Sequence, residues 1–86
     1  MITDPTLLKL VNEAKADLTT RAKVAPDAIT LTSAQAVEWN DSSLGCPMEG
    51  QMYLQVITPG YLIVLEAAGK EWKYHASTNR VMWCDK

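Results

Sequence analysis

The chain has 86 residues, 48% hydrophobic and 21% charged, and ten acidic against eight basic side chains leave a formal charge of −2. That length encloses one small core and leaves little room for a cofactor domain or a deep catalytic cleft. The charge balance argues against a nucleic-acid partner, no apolar run nears the roughly 20 residues that span a bilayer, and the N-terminus does not read as a signal peptide.

The pattern over about 5–23 predicts one helix. Asp4 is placed to cap it, and Pro5 falls at the first helical position, where its missing N–H costs nothing. Leu7, Val11, Ala14, Leu18 and Ala22 recur at steps of three and four, with Leu8 and Leu10 widening the apolar face. Asp17 and Arg21 stand at an attractive i,i+4 spacing. Pro26 then marks a turn, because it disfavours helical geometry in the residue before it.

Five strands are expected after that turn, over 29–39, 51–58, 61–67, 71–76 and 81–84. The first alternates Ile29, Leu31, Val37 and Trp39 against threonines, with an irregularity near Ala34. The second alternates Met52, Leu54 and Val56 against Tyr53, Gln55 and Ile57. Pro59-Gly60 reads as a turn, with Gly60 free to take positive φ. Tyr61–Ala67 is apolar on both sides, as in a central strand. Ala68-Gly69 gives a tight reversal, and Trp72 and Tyr74 alternate with Lys73 and His75. The expected architecture is therefore α+β: one N-terminal helix packed on a five-stranded antiparallel meander, all in a single domain.

Catalytic templates fail on inventory. His75 is the only histidine, no nucleophile-elbow pattern is present, and the glycines are scattered singly. Cys46 with His75 could form a thiolate–imidazolium pair, but Cys46 cannot also bridge to Cys84. A Cys46–Cys84 disulfide would close nearly half the chain; two buried thiols are the alternative. Two cysteines and one histidine do not make a structural zinc site, and Asn40, Asp41, Ser42 and Ser43 are too sparse for calcium. No metal, no cofactor and no enzymatic activity are expected. Trp39, Trp72 and Trp83 read as core bulk in a chain without phenylalanine, ahead of a sugar-binding platform.

The segment 40–50 is the longest stretch without a regular pattern, and such loops in small domains are commonly functional or disordered. Within it, Asp41, Ser42, Ser43, Leu44, Gly45, Cys46, Pro47 and Met48 form the candidate binding loop. Anchored by a disulfide and stiffened by Pro47, such a loop would lose little entropy on association. Leu44 or Met48 would enter a partner's pocket, a protease-inhibitor-like design. The competing reading folds both side chains inward. A further alternative is a structural or envelope domain that binds through its sheet face or edge.

Three blocks carry a resemblance: Trp39-x-Asp41-Ser42-Ser43-Leu44-Gly45-Cys46-Pro47, then Pro59-Gly60-Tyr61, and the terminal Cys84. Together they resemble a family of small bacterial domains without an assigned activity, over roughly Val24 to Cys84. Its members often follow signal peptides or occur in envelope proteins. The resemblance therefore favours an oxidised Cys46–Cys84 pair, and with that pair oxidised an extracytoplasmic location. This sequence departs from the family pattern in showing no such leader, which leaves the location open. It supplies no mechanism, and the expected partner is a protein, most concretely a protease.

Overall fold

The computed structural model describes residues 4–46 and 50–84. Helix α1 (Pro5–Ala22) leads through a 3-10 turn (Pro26–Ala28) into β1 (Thr30–Trp39), β2 (Thr58–Ala67), β3 (Lys70–Ala76) and β4 (Val81–Trp83). The strands form one antiparallel meander in the order β1-β2-β3-β4. The class is α+β.

Helix α1 begins where its sequence supplies a cap: Asp4 Oδ1 accepts the Thr6 N–H at 2.9 Å. It ends at Lys23, whose left-handed backbone (φ 56°) closes the last turn. Leu10, Val11, Ala14 and Leu18 are buried against Ile63, Leu65 and Ala67 of β2 and Trp72, Tyr74 and Ala76 of β3. Those strand residues alternate, so they share one sheet face. Leu10 joins this core, whereas Leu8 points outward and remains exposed.

Two tyrosines fasten the helix at both ends. Tyr61 donates to Asp4 Oδ2 at 3.0 Å, and Tyr74 donates to Asp17 Oδ2 at 2.7 Å. Asp17 also receives Arg21 Nε at 2.9 Å, while the Arg21 guanidinium lies 4.5 Å from the centre of the Trp83 ring. Burial dominates this docking. Each fully buried Leu or Val contributes about 1.5–3 kcal/mol, against less than about 1 kcal/mol for a half-exposed ion pair.

The sheet has four strands where five were expected. Residues 51–57 form no strand; β2 begins at Thr58 and runs straight through Pro59 and Gly60. Register explains the change: Trp39, Glu38 and Val37 of β1 pair with Thr58, Pro59 and Gly60. Strand β3 stops at Ala76 opposite Tyr61, so Pro59 lies where β2 has a neighbour on one side only. Proline is tolerated in a strand at such a place.

Gly60 is also required for a different reason than a turn. A Cβ there would come within 1.9 Å of the Ala76 carbonyl oxygen and 2.8 Å of Trp39 Nε1. Its bare backbone makes room for Trp39 Nε1–H to donate to that same carbonyl at 2.9 Å. The reversal at Ala68-Gly69 forms as expected, with φ of 54° and 78°, the conformation of a tight two-residue hairpin. In β1 the register slips between Leu31 and Ser33, slightly before the expected irregularity.

Gly60→Ala should therefore cost about 3 kcal/mol, because backbone and an indole must both move. Gly50→Ala should cost only about 1 kcal/mol: its φ is +82°, but nothing lies within 4 Å. Urea unfolding of the two variants compares them directly.

A pH dependence follows from Tyr74. Burial, and then the neighbouring Asp17 carboxylate, raise the phenol above its ordinary value of 10.0. The unfolded chain thus releases this proton first, and stability contributed below pH 10 is lost as pH rises beyond it. Tyr74→Phe should flatten that alkaline decline, as read from unfolding midpoints between pH 9 and about 11.

Candidate functional site

The sheet's second face, opposite α1, is where the candidate loop settles. It carries His75 and Trp39, whose rings stack with centroids 4.6 Å apart and planes 11° from parallel. Gly45 lies against that pair, since a Cβ would come within 2.9 Å of the indole and 3.3 Å of His75 Nδ1. The imidazole donates through Nδ1 to the Leu44 carbonyl at 2.6 Å; a carbonyl only accepts, so Nδ1 carries the proton.

Each described residue of the loop is engaged internally. Asp41 Oδ1 accepts the Ser43 N–H at 2.9 Å and also the Ser43 hydroxyl. Leu44 N–H reaches back to the Asp41 carbonyl, and Cys46 N–H to that of Ser43. Leu44 takes a left-handed backbone (φ 60°), a cost of about 1–2 kcal/mol for a side chain with a Cβ. Its burial to 1% exposure offsets that cost. Of the two readings open for Leu44, partner anchor or inward packing, its side chain takes the inward one. Pro47 and Met48 lie outside the described residues.

Cys46 is bonded to Cys84, 38 positions away, and Cys84 N–H donates to the Lys73 carbonyl at 2.9 Å. The loop is thereby tied to the last strand of the sheet. With this bond intact Cys46 has no thiolate to offer, so the Cys46–His75 nucleophile pair is not assembled. Among the described residues, no group of histidine, cysteine and acidic side chains is arranged to hold a metal ion. No described helix is long and apolar enough to cross a membrane.

What the loop does hold is the segment that follows it. Ser42 donates its N–H to the Leu54 carbonyl at 3.0 Å and accepts the Leu54 N–H on Oγ at 2.9 Å. Both backbone groups of Leu54 are thus fixed. Thr58 Oγ1 donates to the Val56 carbonyl at 3.0 Å. Around these points four apolar side chains face solvent: Met52 is 97% exposed, Leu54 72%, Val56 55% and Ile57 60%.

Sequence reasoning misses this surface. The Met52-Leu54-Val56 alternation is legible, but it reads as a paired strand. Two further features also escape it: the Gly60–Trp39 contact and the position of Arg80, whose Nη2 donates to the Ser42 carbonyl at 3.1 Å. The three tryptophans are accounted for by packing. Trp39 stacks on His75, Trp72 donates to the Ala67 carbonyl at 3.0 Å, and Trp83 lies 5.8 Å from Trp72, ring centre to ring centre.

No curated protein and no solved structure matches this sequence. A family model described as a domain of unknown function (DUF8738) matches residues 11–84, and the chain belongs to that family.

Proposed function

We propose that this chain is a non-catalytic protein-binding module of protease-inhibitor-like design. The disulfide-braced turn 41–46 is its scaffold, and segment 51–57 is its contact surface. The observation that carries the reading is the run of exposed apolar side chains from Met52 to Ile57 on backbone pinned at Leu54 by Ser42. Exposed apolar patches in small proteins mark interaction sites. A segment held in place before association loses less entropy on binding than a free one.

Met52, the most exposed side chain of the run, takes the anchor role first expected of Leu44. The disulfide fits an oxidising compartment outside the cytoplasm. A second reading, association through the sheet edge, has one observation in its favour. Among the described residues the outer edge of β1 has no strand neighbour, and Glu38 is the sole charged residue of the strand's ten. If the edge carries the function, Ala36→Lys should abolish self-association in sedimentation while Met52 variants leave it intact.

An inhibition panel of serine, cysteine and metalloproteases tests the first reading. Inhibition of one class is expected, weakened about 30-fold or more by Met52→Asp, with thermal unfolding unchanged. No inhibition of any class, with segment 51–57 left uncut, would sink it. The brace has its own test. Cys46→Ser with Cys84→Ser should lower stability by about 4 kcal/mol, read from denaturant unfolding of oxidised and doubly substituted protein.

A further inference from the structure

Beside the exposed segment lies a cleft of about 580 Å³, walled by Ser42, Tyr53, Thr58, Thr78 and Arg80, with Met52 at its side. Its described lining contains one charged residue, Arg80, and no acid. In a protein with ten acidic residues, that is a local reversal of the overall charge.

Arg80 is held at its backbone and by one bond at its guanidinium. The β3–β4 turn is fixed by Ser77 N–H donating to the Arg80 carbonyl at 2.9 Å and by the Ser77 hydroxyl donating to Asn79 Oδ1 at 2.9 Å. At its far end, Arg80 Nη2 donates to the Ser42 carbonyl. An arginine has five N–H donors in a rigid fork, and this bond uses one. No carboxylate among the described residues pairs with Arg80. A positioned guanidinium in a cleft walled by hydroxyls matches the planar, two-oxygen geometry of a carboxylate.

We infer that this cleft binds a carboxylate of the protein partner, set next to an apolar partner residue that contacts Met52. The inference rests on the proposed binding role of segment 51–57 and adds to it the chemistry of the partner. The carboxylate belongs either to an acidic side chain or to the partner's own C-terminus, and the two sources are separable with small probes.

The experiment titrates ¹⁵N-labelled protein with four compounds: acetyl-leucyl-aspartate amide, acetyl-leucine, and the carboxamide counterpart of each. The Arg80 side-chain resonance and the amides of Ser42 and Ser77 to Arg80 report binding. At least one acid should shift them, its carboxamide binding at least about tenfold more weakly, as expected for loss of a charged hydrogen-bond acceptor. Shifts with the aspartate compound alone name a side chain; shifts with acetyl-leucine alone name a C-terminus. Arg80→Gln should abolish the response, and Arg80→Lys should retain only a small part of it, because a point charge cannot make the paired bonds.

Equal behaviour of acids and carboxamides would overturn the inference, as would an unchanged response in either Arg80 variant. Met52→Asp separates the two readings. It tests the contact segment in the protease panel, whereas the acid-against-carboxamide difference and its dependence on Arg80 test the carboxylate site, so the failure of one reading is distinguishable from the failure of the other.

Discussion

The bond from the Trp39 indole to the Ala76 carbonyl across Gly60 is the constraint on which the second face of this protein depends. It joins the end of β1 to the end of β3 over the backbone of β2, and only a residue without a side chain can lie beneath it. Once the indole is fixed there, its flat surface receives the His75 ring, and Gly45 closes down on both. Gly45 in turn sets the Leu44 carbonyl on His75 and leads the backbone into the Cys46–Cys84 bond. Four local features thus hang on one hydrogen bond whose donor and acceptor are 37 positions apart.

The two sheet faces are stabilised by different physics. Against α1, alternate residues of β2 and β3 meet aliphatic side chains, and apolar burial does most of the work. Among the described residues no helix covers the opposite face. There a turn of six residues serves as the cover, satisfied by internal hydrogen bonds and held by a covalent cross-link. A small domain that buries limited area gains from such a staple, since about 4 kcal/mol is a large share of the 5–15 kcal/mol that natural domains possess.

How much of this is legible from the residues depends on distance along the sequence. Helix α1 is readable because its signals are local: Asp4, Pro5 and a stripe at steps of three and four. The hairpin at Ala68-Gly69 and strand β3 are readable for the same reason. The error over 51–60 has the opposite cause. Pro59-Gly60 carries the local signature of a turn, but the reason for Gly60 is a contact with Trp39 and Ala76, both far off in sequence. Alternation of Met52, Leu54 and Val56 likewise states what a segment can pair with, not whether β1 is already taken. It is taken, by Thr58–Ala67, and the segment is left outside the sheet. Leu44 is ambiguous for a related reason: an apolar residue in a polar loop is equally suited to a partner's pocket and to its own core.

The described part of the loop is bonded into the protein's own architecture. Asp41, Ser43, Leu44, Gly45 and Cys46 each spend their hydrogen bonds, shape or sulfur within the protein, so the block that draws the eye in the sequence is consumed by architecture. Ser42 also bonds within the protein, but its three contacts reach beyond the turn to Leu54 and Arg80. One residue of the braced turn therefore positions both the exposed apolar segment and the guanidinium beside it. An apolar strip and a cation fixed to the same support form a composite surface. On the proposed binding role, a partner that supplied only one matching group would leave the other half of this surface in water, and discrimination would follow from the pairing rather than from either half alone.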